Sequence, residues 1–218
     1  MRDALPSLAQ AEALLKEAEK MNPGPWVAHT RYVAQGAQLL AQAMLAHNPA
    51  SNVVPHKAFI LGLLHDIGRR EGVYGMRHVV DGYRFLESLG YPEAGRASLT
   101  HSYPDQGLVM GASGWDGTEA ELDFVRQYIA SITYNIYDRL IQLCDAISMP
   151  HGFVLMEKRM VDVALRYCDG STDPMDRLVR RWQAFFAIQK ELDQAVGGSI
   201  YRLLPGVVEN TFGFDHPA

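Results

Sequence analysis

The sequence predicts an all-α fold, a single-domain helical bundle with extra helices at its C-terminal end. Apolar residues recur at helical spacing along almost the whole chain, and no alternating run is long enough to suggest a useful strand. Proline and glycine breakers divide the chain at helix-length intervals, at Asn22-Pro23-Gly24-Pro25, Asn48-Pro49, Gly90 and Pro104. The chain has 218 residues, 48% hydrophobic and 21% charged, which suits one globular core.

The elements follow in order. Pro6 to Lys20 reads as a short amphipathic helix that turns Leu8, Leu14 and Leu15 toward a core. A long helix starts at Trp26 and stops before Asn48, with Val33, Ala37, Leu40 and Met44 at helical spacing. The third helix, Pro55 to Ile67, is apolar nearly all round, which marks it as central, and Gly68 is its expected C-terminal cap. Gly72 to Gly75 is a loop, and helices follow over Arg77 to Leu89 and Pro92 to His101. Pro104 to Gly117 is glycine-rich and irregular, a candidate lid or mouth loop. Helices are then predicted over Thr118 to Ser131, Tyr134 to Met149, Gly152 to Cys168 and Pro174 to Val196, with a short one around Ile200. The organisation is therefore an N-terminal helix and linker (1–25), a core (26–150) and a C-terminal extension packed on it (151–218).

Several classes of protein are disfavoured. Met1 to Lys20 contains Asp3, Glu12, Glu17 and Glu19, so it does not read as a secretory signal. The uncharged run Tyr32 to His56 holds Gln35, Gln38, Gln42, His47, Asn48 and Pro49, too polar for a membrane span. Cys144 and Cys168 are not in a paired-cysteine motif and fit a reducing, cytoplasmic setting. The formal charge of −5, with no basic stripe, argues against a nucleic-acid partner. The notable count is eight His beside two Cys.

Four of those histidines and two aspartates are expected to face inward from helices: His29, His65, Asp66, His78, His101 and Asp145. His29 is one helical turn before Val33, and His78 lies on the face of Phe85. His101 follows Ala94 and Ala97 on a small-residue face, and Asp145 is one turn after Ile141. His65-Asp66 ends the most apolar helix, where an imidazole and a carboxylate are costly unless paired or metal-bound. A nitrogen and oxygen donor set without thiolate suits Fe, Mn, Co, Ni or Zn better than Ca or Mg. Six ligands are too many for one catalytic ion with an open position. Two divalent transition metals sharing one carboxylate would use them all and could clamp a phosphate. His47, His56, His151 and His216 lie at helix ends or in the tail and read as solvated or capping.

The order His, His-Asp, His, His, Asp resembles the HD-domain metal-dependent phosphohydrolases. Leu63-Leu64-His65-Asp66-Ile67-Gly68 is similar to that superfamily's most recognisable stretch, and Leu143-Cys144-Asp145-Ala146 to its last ligand segment. The resemblance covers roughly Trp26 to Met149. It implies that His29, His65, Asp66 and Asp145 hold a first metal, that Asp66 bridges, and that His78 and His101 hold a second. It implies a bridging water or hydroxide as the nucleophile toward phosphorus. The substrate would be a small phosphoester, a nucleotide being the first choice. Many family members carry Lys after this stretch; here Arg69-Arg70 follows, which keeps a cation but changes its shape. Gly90-Tyr91-Pro92 spells the tripeptide of the cyclic-dinucleotide branch, but the residues around it do not match.

Other residues are assigned by position. Lys57, Arg69, Arg70 and Arg77 flank the His-Asp segment and are candidate phosphate partners, Arg69 and Arg70 as catalytic cations. Asp105 is a candidate general acid, and Asp81 shares that role or supports a ligand. Tyr74 and Tyr103 are candidate donors to a phosphate oxygen. The Trp182 and Phe185 pair is core or an oligomer face, and the helices after Gly152 could supply a homodimer face. Two other activities share this ligand type: a di-iron HD-like oxygenase, and a non-catalytic module that senses metal or nucleotide.

Overall fold

The computed structural model describes residues 5–72, 75–107, 114–167 and 175–213. The helices begin where side chains satisfy the first free amides. At α1 (Leu8–Met21), Ser7 Oγ accepts from Gln10 N and Gln10 Oε1 accepts from Ser7 N. The same reciprocal box, Thr118 with Glu121, opens α6 (Glu119–Ser131). Asn135 with Asp138 opens α7 (Ile136–Ile147), so that helix starts two residues later than predicted. Pro residues start α3 (Pro55–Leu64) and α5 (Pro92–Thr100), where no amide donor is needed.

α2 (Trp26–His47) and α3 pack along each other at the centre, with α1 and α7 against them. Ala34, Ala37, Leu40, Leu61, Leu63, Leu64, Ile141 and Leu143 form the middle of the core. α4 (His78–Ser88) and α5 pack together, and a second apolar cluster of Val79, Val80, Leu99, Tyr103, Val125 and Ile129 joins them to α6. Arg96 of α5 and Asp138 of α7 form a mostly buried ion pair, with Thr100 donating to the same carboxylate. α8 (Met156–Tyr167), α9 (Met175–Val196) and α10 (Val207–Phe212) close the other side. Their Met156, Phe185, Ile188, Leu192 and Val207 belong to the main core, which gives Phe185 a core role.

Three sequence expectations are corrected. The third helix does not run to Ile67. It ends at Leu64, and a 3-10 turn, Ile67–Glu71, follows. Gly68 is therefore no cap; the left-handed terminator is Gly72, at φ +77°. Gly68 is instead a contact point. A Cβ there would fall 2.0 Å from the His78 carbonyl oxygen and 2.5 Å from Gly82 N. The helices predicted over Tyr134 to Met149 and Gly152 to Cys168 each give up two residues to a hairpin, in which β1 (Ser148–Met149) pairs antiparallel with β2 (Gly152–Phe153). Two-residue strands are too short to alternate visibly. Among the described residues no helix is long and apolar enough to cross a membrane.

Candidate metal centre

Five elements bring the six residues together. His29 sits in the first turn of α2, His65 is the C-cap of α3, and Asp66 follows it. His78 begins α4, His101 is the C-cap of α5, and Asp145 lies near the end of α7. The sequence places them at helix ends because helix ends are where the chain turns out of the core.

Each imidazole is oriented by a main-chain carbonyl. Nδ1 of His65 lies 2.7 Å from Gly62 O, Nδ1 of His78 2.7 Å from Gly75 O, and Nδ1 of His101 2.8 Å from Ser98 O. All three acceptors are three residues back along the chain. His29 instead reaches across to Ser148 O of the hairpin, at 3.2 Å. A carbonyl only accepts, so a neutral ring bonded this way carries its hydrogen on Nδ1 and presents a lone pair at Nε2.

The four Nε2 atoms converge on two carboxylates. His29 Nε2 is 3.0 Å and His65 Nε2 3.9 Å from Asp145 Oδ1. His65 Nε2 is 3.8 Å from Asp66 Oδ2. His78 and His101 Nε2 lie 3.1 and 3.5 Å from Asp66 Oδ1, and 3.4 Å from each other. His65 Nε2 and Asp66 Oδ1 are buried without a hydrogen-bond partner.

Burial disfavours the charged form of two of the rings, while both acids are held ionised. Burial pushes His29 down despite the pull of Asp145. Burial, with His65 adding to it, pushes His101 down to about 3 against the attraction of Asp66 and Asp145. Burial alone would raise Asp66, yet Arg69 and the neighbouring imidazoles hold it well below the carboxylate range. Asp145 is likewise held far down, with burial outweighed by His29 and the other imidazoles. Imidazole nitrogens and carboxylate oxygens buried this close together, some without a hydrogen-bond partner, are stabilised by a cation between them. The donor set fits that cation. His29, His65 and Asp145 lie close enough to hold one ion, and His65, Asp66 and His101 close enough to hold one.

A family model for the HD domain matches residues 26–149, more than half of the chain. The chain belongs to the HD-domain family. No curated protein and no solved structure gave a significant match. HD domains bind divalent metals, and membership indicates metal-dependent phosphohydrolase-type activity in general.

Most of the described residues expected around the HD core make contacts with other parts of the fold. Arg69 does reach the cluster, its Nε donating to Asp66 Oδ2 at 2.6 Å. Arg70 turns away, against Glu17 and Met21 of α1 and over the Phe85 ring. Lys57 pairs with Glu93 and lies over the Tyr137 ring. Arg77 pairs with Asp81 of its own helix, and burial raises that acid. Asp105 accepts from Arg180 at 2.7 Å and from Gly107 N. Tyr103 is not at a mouth but buried in the second apolar cluster, and burial pushes its phenol up. Tyr74 and part of the Pro104 to Gly117 segment lie outside the described residues. Lys57 and Arg70 reach their neighbours across helix interfaces that sequence adjacency does not show. Cys144 is buried beside Gly36, and burial raises its thiol.

Two cations near the cluster escape the sequence reading. Arg181 of α9 donates to Ser102 O, next to His101, at 2.7 Å. Arg159 of α8 acts electrostatically on His29. Both sit beyond residue 149, in helices whose arginines look solvent-facing until α8 and α9 are folded onto α7.

Proposed function

We propose that the protein is a metal-dependent phosphohydrolase that cleaves a small phosphoester, a nucleotide in the first instance, at a binuclear centre. The observation that carries this reading is the buried convergence of imidazole lone pairs on two carboxylates, with His65 Nε2 and Asp66 Oδ1 unpartnered. His29, His65, Asp66 and Asp145 would hold one ion, and Asp66, His78 and His101 the other. Divalent ions held there would supply Lewis acidity toward phosphoryl oxygens and make water a competent nucleophile near neutral pH.

The chain's own groups support that chemistry. The carbonyls of Gly62, Gly75, Ser98 and Ser148 fix the rings, so no side-chain motion is needed to present the ligands. Arg69 holds Asp66 by one oxygen and keeps it ionised. The four rings are themselves buried, and Asp145 is the more exposed member of the cluster.

Metal analysis of protein purified without a chelating tag should give about two transition metals per chain, the number that hydrolysis at a binuclear centre requires. A phosphomonoester, phosphodiester and nucleotide panel should then find turnover. His65→Ala should lose metal and at least about a hundredfold in activity, since even the outer partners of a metal ligand cost about 10- to 100-fold. Full turnover of that variant at normal metal content would refute the reading. A count near one metal would remove His78 and His101 from the ligand set. Turnover with manganese under nitrogen would separate hydrolysis from oxygen chemistry.

A further inference from the structure

Among the six clustered residues, Asp145 is the most exposed. The Asp145 side chain is 20% exposed, against 0 to 8% for His65, Asp66, His78, His101 and His29. Solvent therefore reaches the cluster at Asp145. α8 and α9 pack on α7, which carries Asp145, and α9 also packs on α2, which carries His29. Residues of the C-terminal extension thus stand beside this part of the cluster.

We propose that Arg159 and Arg181, brought to this part of the cluster by helices beyond the family match, form an anion subsite that binds a phosphate group of the substrate. Arg181 is aimed by its bond to Ser102 O and by the Phe185 ring, whose centroid lies 5.2 Å from its guanidinium carbon. Its charge interacts with Asp145 and opposes that of Arg159. Arg159 is held by Asp162 through one Nη at 3.0 Å, while its Nε is buried with no partner. Two guanidinium groups of like charge repel, and an anion between them would relieve that repulsion. A planar fork with several N–H donors matches a phosphate oxygen pair. The choice of phosphate over another anion rests on the phosphohydrolase reading.

The test uses the full chain loaded with metal, and inorganic pyrophosphate as the probe, titrated calorimetrically. Arg159→Gln and Arg181→Gln should keep metal content and helicity. Each should bind pyrophosphate at least tenfold more weakly and raise KM for a phosphoester more than it lowers kcat. The affinity should also depend less on salt than in the parent. Arg181→Lys should recover part of the loss. If Arg181→Gln fails to fold, Arg159→Gln decides, because its Nε has no bond to lose. Unchanged pyrophosphate affinity in a folded, metal-loaded Arg159→Gln protein would overturn the proposal, as would a parent that binds no pyrophosphate. Arginine-dependent pyrophosphate binding without any phosphoester turnover would sink the proposed function and leave the subsite. Turnover indifferent to both arginines would do the reverse.

Discussion

Neutral His29 has one hydrogen to give and faces two oxygens, Ser148 O at 3.2 Å and Asp145 Oδ1 at 3.0 Å. It can satisfy one of them; a cation at Nε2 satisfies the other. The same logic sets the acid behaviour of the metal-free protein. His101 is depressed to about 3 in the folded state and His29 is also depressed, so below the ordinary imidazole value the unfolded chain binds more protons than the folded one. Stability therefore rises with pH across that window. Asp66 and Asp145, also depressed, add stability that is present above the ordinary carboxylate value and lost below it. Both sets act in the same direction. The urea midpoint of metal-free protein should fall steadily from about pH 7 to about pH 4, and a flat midpoint would contradict the ring environments described. At this scale the six converging residues are legible in the sequence, because polar groups on apolar helix faces stand out. The arginines are not, because a long flexible side chain takes its direction from tertiary neighbours. Arg70 and Arg181 show this in opposite senses, one leaving the site and one entering it.

Gly68 shows what an element contact requires. The 3-10 turn after His65-Asp66 touches the start of α4, and that contact sets His78 against Asp66. A Cβ at Gly68 would strike the His78 carbonyl at 2.0 Å, with only main-chain atoms to give way. Gly68→Ala should destabilise the fold by about 1–3 kcal/mol, the usual cost of overpacking, and weaken metal binding at the His78 side. Equilibrium unfolding and metal titration would measure the two effects, and a variant with parental values in both would refute the contact's role. Element types are legible from periodicity and caps, as with Trp26 to His47, whose predicted limits match. The end of the third helix is not. Gly68 reads as a cap because glycine so often is one, and only the neighbouring α4 gives the residue its other use. The Ser148–Phe153 hairpin is hidden for a different reason, since it interrupts an otherwise helical pattern over too few residues.

Over the whole molecule, the helices after residue 149 are not an attachment to a finished core. Met156, Phe185, Ile188, Leu192 and Ile200 are buried in the same cluster as Leu40 and Leu61. Each such side chain contributes about 2 kcal/mol when fully buried, so the five contribute about 10, comparable to the net stability of a domain. A fragment of residues 1–150 should therefore keep helical signal but lose near-ultraviolet circular dichroism and bind a hydrophobic dye. A cooperative unfolding transition for that fragment would show the two parts to be independent. The way the rings are held has one more consequence, for how the protein exchanges protons with its surroundings. Ligand sites commonly release protons as an ion enters, because the donors must first be stripped of them. Here burial pushes His29 and His101 toward the neutral form, and Asp66 and Asp145 are held ionised. Metal uptake at neutral pH should thus draw no proton from these four groups. Its measured heat should be the same in buffers of different ionisation enthalpy, apart from any contribution of the remaining ligands and coordinated water.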